Sequence, residues 1–362
     1  MADTFGKLFQ ITVFGESHSV AIGVVLDGVP AGLALDMEEI GREMARRAPG
    51  QNNLSTPRKE ADIPQIQCGF FNGRTTGTPL CALIANTNTR SGDYEPDLLR
   101  PSHADFTGKI RYSGYNDYRG GGHFSGRLTA PLVFAGAVAK QFLRTRGIEI
   151  VAHLERIKDI CDNRFDPCRQ EPELAKLLAQ RELPVLNEAV IEPMKNTILT
   201  AKRSGDSVGG VVECAVFGAG AGLGSPMFES VESRLAAMLF SVPAVKGVEF
   251  GAGFAISGLC GTQANDSFTV DGGSIRTVTN HNGGINGGIT NGMPILFRAA
   301  IKPTASIAAE QDTVNIAEMK NCRMRVHGRH DPCIAHRAVC VIEAAAAVVM
   351  ADLVLEAATY GK

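Results

Sequence analysis

The sequence predicts a mixed α/β (α+β) protein in which two pseudo-repeated halves, roughly 1–150 and 205–362, each cover a β-sheet with helices, with an insertion at 155–200. Three observations carry this. Short alternating apolar runs bounded by Gly, Asn and Pro mark strands along the chain. Two Ala-rich stretches, Pro131 to Arg146 and Arg337 to Thr359, read as long helices. The chain also echoes itself: Val24 to Leu33 ends in Ala31-Gly32-Leu33 and Val211 to Leu223 in Ala221-Gly222-Leu223, each ahead of an amphipathic helix. Thr78-Pro79 to Thr87 is echoed by Met293-Pro294 to Thr304. Each half then reaches a loop of His, Arg and Gly, and a ligand is expected between those loops.

In order, Phe9 to Phe14 alternates as a strand and Val20 to Leu26 is its neighbour. Asp36 with Glu39 reads as a capping box that opens a helix from Met37 to about Arg47, stopped by Pro49-Gly50. Arg42, Arg46 and Arg47 near its end are by default partners of the helix dipole. Gln51 to Asp62, with Arg58 and Lys59, is polar and reads as a mobile surface loop or lid. Gln65 to Phe70, a turn at Asn72-Gly73, and Pro79 to Asn86 form a hairpin. After the first Ala-rich helix come a strand at Ile148 to Leu154, a helix at Glu171 to Arg181 on an exposed insertion, a strand at Val208 to Phe217, a helix at Glu229 to Phe240 and strands at Val248 to Ile256 and Pro294 to Ile301.

The chemistry concentrates in the connections. Arg119-Gly120-Gly121-Gly122-His123-Phe124-Ser125-Gly126-Arg127 feeds a helix N-terminus, whose unpaired N–H groups and dipole suit an anion such as phosphate. Its spacing fits neither a Walker loop nor a dinucleotide-binding turn. Gly15-Glu16-Ser17-His18-Ser19 sits at a strand end, either projecting into a cleft or forming a hairpin turn with a solvated histidine. Arg90, Asp93 and Tyr94 precede Arg100-Pro101-Ser102-His103-Ala104-Asp105, a rigid turn that can orient an imidazole for proton transfer or simply cap backbone groups. The Gly- and Asn-rich run Asn280 to Gly292 suits close wrapping of a ligand, or a flexible linker, and Lys302-Pro303-Thr304-Ala305-Ser306 follows the next strand. Arg325 to Cys333 packs two arginines, two histidines and Asp331 around Gly328, and Asp331 beside Arg329 and His330 is a plausible oriented base.

A formal net charge of -2 gives no drive toward nucleic acid or acidic membranes. The N-terminal ten residues lack a signal-peptide core, and the most apolar late run is broken by Glu343, Asp352 and Glu356, so a cytoplasmic protein is expected. Nine cysteines without a CxxC pair read as reduced core residues. No metal site is expected, the nearest approach to one being Cys333 with His327, His330 and His336.

Taken together, Gly15 to His18, Arg46 to Gly50, Arg100 to Asp105, Asp117 to Ala130, Lys246 to Glu249, Gly287 to Gly292, Lys302 to Ser306 and Gly328 to Cys333 resemble the chorismate synthase family over nearly the whole chain. The resemblance implies a β-α-β sandwich with antiparallel sheets, a homotetramer, and a 1,4-anti elimination of phosphate from 5-enolpyruvylshikimate 3-phosphate that needs reduced FMN without net redox change. NADPH or an external flavin reductase would supply the reduced flavin. By the same resemblance Arg46, Arg47, Arg100 and Arg329 hold the anionic substrate, Arg47 also serving NADP, and His18 with Ser17 protonates the leaving phosphate. His103 serves the reduced flavin, Asp331 relays the substrate proton through flavin N5, and Ser125 joins the catalytic set. Flavin contacts are implied for His123, Phe124, Ser125, Pro243, Ala244, Gly287, Lys302, Pro303, Thr304, Ala305, Ser306 and Arg329. The chain departs from the family pattern at Ser19, where Gly is usual, at Asn53, where an Arg often stands and Arg58 could substitute, and at His123-Phe124, where Arg-Ser is common.

Overall fold

The computed structural model describes residues 3–50, 54–55, 60–89, 92, 94–326 and 331–361. Two five-stranded sheets are antiparallel throughout. The first comprises β1 (Thr4–Phe5), β2 (Gln10–Gly15), β3 (Ala21–Asp27), β4 (Gln65–Cys68) and β5 (Leu80–Ala85) in the order β1-β2-β3-β5-β4. The second comprises β6 (Glu149–Ile157), β7 (Ile160–Cys161), β8 (Gly210–Phe217), β9 (Val245–Phe250) and β10 (Ile295–Ile301) in the order β9-β10-β8-β6-β7. Helices α1 (Met37–Arg47), α2 (Thr129–Arg144), α3 (Val231–Ser241) and α4 (Ala335–Thr359) form the layer between, with α2 touching strands of both sheets. The result is the β-α-β sandwich with antiparallel sheets.

The two long helices are largely apolar round their circumference because Thr129 to Leu143 of α2 and Ala338 to Leu353 of α4 are buried on every side. They cross at Gly136, where a Cβ would stand 2.2 Å from that of Ala344, so only a glycine lets the backbones approach this closely. By length and hydropathy α4 could cross a bilayer, yet Ala344 to Ala351 are buried within the protein. The carboxylates that interrupt it have assigned work. Asp352 accepts the N–H groups of Lys7, Leu8 and Phe9 at 2.7–2.9 Å and pairs with Arg234. Glu343 accepts Ala152 N–H at 3.0 Å and pairs with Arg46 and Lys140.

The internal echo has a hydrogen-bonded counterpart. Thr75 Oγ1 donates to Pro30 O and accepts from Leu33 N–H, while its carbonyl accepts from Gly32 N–H. Thr290 repeats the pattern with Gly220 O, Leu223 N–H and Gly222 N–H. A capped helix follows each turn, with Asp36 heading α1 and Ser230 heading α3.

Several expectations need correction. Glu39 does not close a capping box; its carboxylate pairs with Arg144 across to α2, so Asp36 caps alone. The stretch 155–200 is not an exposed insertion: Leu183, Val185, Met194 and Ile198 are fully buried, and the last two lie on an unforeseen helix, Ile191–Arg203. Two hairpins were also missed, Phe268–Asp271 with Ser274–Thr277 and Gln311–Asn315 with Lys320–Met324. Among the cysteines only Cys214, Cys333 and Cys340 are buried, whereas Cys68, Cys161 and Cys260 are exposed. Of the supposed surface loop before β4, Leu54, Ser55, Glu60 and Asp62 are buried.

Candidate active site

A cavity of about 910 Å³ opens where β1, β2 and the Gly-rich loop meet the ends of α1 and α3, β9 and the start of α4. Its size suits a drug-sized or cofactor-sized ligand. It is lined by His103, Asp331, Arg47, His123, Phe124, Ser125, Pro243, Ala244 and Lys302 to Ser306, so most of the implied site residues share one chamber. Phe5, Ile11, Val13, Leu132 and Met238 give it an apolar wall.

His103 is fixed from behind. Arg100 grips Asp105 through Nη2 at 2.6 Å and Nε at 2.8 Å, and Asp105 Oδ1 lies 3.1 Å from His103 Nδ1. Burial pushes the Asp105 carboxyl up, but hydrogen bonds from Arg100 and His103 overcome it and hold the group well below the usual carboxylate range. Nδ1 also faces Arg100 Nη2 at 3.3 Å, so this side of the ring is engaged by its own turn and Nε2 is the nitrogen left for a ligand. The turn is strained at Ser102, φ 59, and Lys302 Nζ donates to the Ser102 carbonyl at 2.7 Å, tying the turn to the opposite wall. Burial and the neighbouring Lys246 push the Lys302 ammonium down. Ala244, φ 76, accepts the Lys302 N–H at 2.9 Å, which joins two of the implied flavin segments.

The triglycine loop separates the two implied imidazoles. Gly120, Gly121 and Gly122 all have positive φ, and a Cβ on Gly120 would stand 2.4 Å from His18 Nε2, one on Gly121 3.0 Å from His103 Cε1. Ser17 is buried and donates its N–H to Gly122 O at 3.1 Å; His18 packs edge-on to Tyr94. Ser19 Oγ accepts Glu16 N–H and donates back within the same turn, so the residue in place of the usual Gly closes the loop that carries His18.

Expected cations of this loop are already engaged. Arg119 pairs with Asp117, Arg127 with Asp62, and His123 bridges Gly15 O and Asp3, while Ser125 Oγ accepts Arg127 N–H. These contacts fix the loop's side chains, and its glycines set the spacing between the two imidazoles. Asp331 pairs with Arg337 at 2.7 Å, and Arg337 Nε donates to Arg47 O, so the start of α4 holds the implied base against the end of α1.

Five implied residues do not line this cavity. Ser17 and His18 abut the glycine loop, and Arg100 lies behind His103, lining a recess of about 170 Å³ with Tyr94. Arg46 is held by Glu43 and Glu343 in a cluster with Lys140, away from the chamber. Gly287 sits at the tip of the Ile285–Asn286 and Ile289–Thr290 hairpin. Close packing in that Gly-rich run is internal, since Gly283 meets Gly251 and Gly284 meets Pro294 O. Arg329, with Asn53, Arg58, Lys59, Arg90, Asp93, His327, Gly328 and His330, lies outside the described residues. Sequence reasoning missed Asp62 and the pairing role of Arg337; neither has a local signal beyond a charge near a motif.

A chorismate synthase family model matches residues 9–355. The chain belongs to the chorismate synthase family. It is 46% identical to a chorismate synthase of Dehalococcoides mccartyi over 359 residues, covering 99% of this chain and 98% of the relative. It is 45% identical to one of Thermococcus kodakarensis, covering 97% of each. A crystal structure of chorismate synthase superposes with a TM-score of 0.76 at 29% identity, over 98% of this chain and 93% of the other. The chain is thus a carbon-oxygen lyase that eliminates phosphate from 5-enolpyruvylshikimate 3-phosphate to give chorismate in the shikimate pathway, in a family that requires a reduced flavin.

Proposed function

We propose that the flavin is FMN and that it occupies the 910 Å³ cavity against the apolar wall, held by His123 to Ser125, Pro243-Ala244 and Lys302 to Ser306. The fit rests on the donor set: a cationic Lys302, and a buried Thr304 Oγ1 with no hydrogen-bond partner among the described residues, in the wall assigned to the cofactor. Reduced FMN supplies transient electron density to the breaking C–O bond. The chain supplies position, charge and protons.

In this reading His18, backed by Ser17, donates a proton to the departing phosphate. His103, with Nδ1 engaged by Asp105, presents Nε2 for proton exchange with the reduced flavin, and Asp331 receives the proton the substrate loses. Arg47, with Arg100 and Arg329, offsets the substrate's carboxylates and phosphate. Arg46 is the weakest of the implied anion ligands because its guanidinium already meets two carboxylates. The observation that carries the reading is the convergence of His103, Asp331 and the implied flavin segments on one chamber. Replacing His18 or His103 by Ala lowers kcat by about 100-fold or more with FMN affinity unchanged; an unchanged kcat removes the residue from its role.

We also read the protein as one cytoplasmic catalytic unit of two pseudo-repeated halves, supported by the equivalent Thr75 and Thr290 latches. It assembles as a homotetramer, a reading supported by the family and by exposed Phe228, Phe254 and Phe268, and sedimentation of the intact protein reads its mass. NADPH at the Arg47 end of the cavity, or a separate reductase, supplies the reduced flavin.

A further inference from the structure

At the end of α1 two guanidiniums line the cavity side by side, those of Arg47 and Arg127. Each is buried and bonded in three directions. Arg47 donates through Nε to Thr129 Oγ1 at 3.0 Å, through Nη2 to Gly126 O at 2.7 Å and through Nη1 to Asp62 Oδ2 at 2.8 Å. Arg127 donates through Nε to Asn86 Oδ1 at 2.9 Å, through Nη2 to Ala85 O at 3.2 Å and through Nη1 to Asp62 Oδ1. One carboxylate therefore gives each of its oxygens to a different arginine, and Glu60 stands 3.6 Å from Arg127 Nε.

Asp62 has no exposed side-chain surface, does not itself line the cavity, and holds φ 50, a left-handed backbone that few non-glycine residues adopt. Such strain persists where surrounding contacts over-determine it, and here those contacts are two ion pairs. Two like charges forced together repel unless an anion sits between them. A guanidinium with three of its five donors spent on fixed acceptors is also rigid, and it offers the cavity only what remains.

We propose that Asp62 is a positioning residue for the family's reaction: from behind the cavity wall it locks Arg47 and Arg127 into one preorganised clamp for the phosphorylated dicarboxylate substrate. The rival role is a counter-anion that occupies the arginines until substrate displaces it. Burial argues against that rival, because a substrate entering from the cavity reaches Glu60 but not Asp62. The proposal rests on the proposed role of Arg47 in substrate binding.

The test is Asp62→Asn, which keeps the shape and removes the charge, assayed with 5-enolpyruvylshikimate 3-phosphate and chemically reduced FMN. Preorganisation predicts a KM at least about 10-fold higher, a kcat changed less than KM, and an unaltered dissociation constant for oxidised FMN. An unchanged KM, a fall in kcat alone, or a lower KM overturns the proposal, the last because it would mark Asp62 as a competitor of substrate. Should Asp62→Asn fail to bind FMN, Arg127→Lys is read by the same three quantities. Because both residues act through one clamp, the double variant raises KM by less than the product of the single effects; a full product also overturns the proposal. Wild-type turnover measured alongside separates failure of the clamp from failure of the functional reading.

Discussion

His336 shows how one side chain can set a pH limit. Burial and Arg337 push its imidazole down to about 4. The unfolded chain takes up that proton near the ordinary value of about 6.5, so between the two values the unfolded state holds more protons and stability falls as pH is lowered. Urea midpoints measured at pH 7 and pH 5 will converge in His336→Gln relative to wild type; an undiminished difference would assign the acid sensitivity to other groups. At this scale the sequence was partly legible. His103 and Asp105 stand two residues apart, so their contact could be anticipated. Asp62 reaches Arg127 across 65 positions, and no local pattern announces such a pair.

Among the elements, α1 carries two neighbouring arginines with different duties. Arg47 faces the chamber, while Arg46 belongs to the buried cluster of Glu43, Lys140 and Glu343. Burial pushes the Glu43 carboxyl up, and Lys140 and Arg46 overcome it, leaving it at about 2. Removing one partner from a buried pair leaves an uncompensated charge at a cost of about 3–5 kcal/mol. Arg46→Ala should therefore lower the free energy of unfolding by about that amount; a variant of normal stability with a raised KM would return Arg46 to substrate binding. Strand alternation and the Asp36 cap made most elements readable, since both are properties of neighbouring residues. Helix Ile191–Arg203 was missed because its apolar face is narrow, with Met194, Ile198 and Ala201 buried. The Phe268–Thr277 hairpin was legible but overlooked: Phe268, Thr269, Val270 and Asp271 alternate ahead of a Gly272-Gly273 turn, and the apolar side chains Phe268, Val270 and Ile275 of this short ribbon are exposed.

For the molecule as a whole, the sandwich brings the ends of α1, α3 and α4 to one opening, so segments separated by hundreds of residues face the same chamber. The helical layer explains why the chain tolerates a 25-residue apolar helix, since both sheets need an apolar filling. Two antiparallel pairings tie β8, β10 and β9 together beside the cavity-lining segments Pro243 to Lys246 and Lys302. That convergence depends on long-range register, and motif resemblance could name its residues without placing them.

The most direct test of the account is anaerobic turnover of 5-enolpyruvylshikimate 3-phosphate by the intact protein with chemically reduced FMN, following chorismate and inorganic phosphate together, and repeated with oxidised FMN plus NADPH. Equimolar chorismate and phosphate in the first assay is the predicted result, and product in the second would assign flavin reduction to the protein itself. Phosphate without chorismate, or tight FMN binding with no product, would contradict an elimination carried out in this cavity.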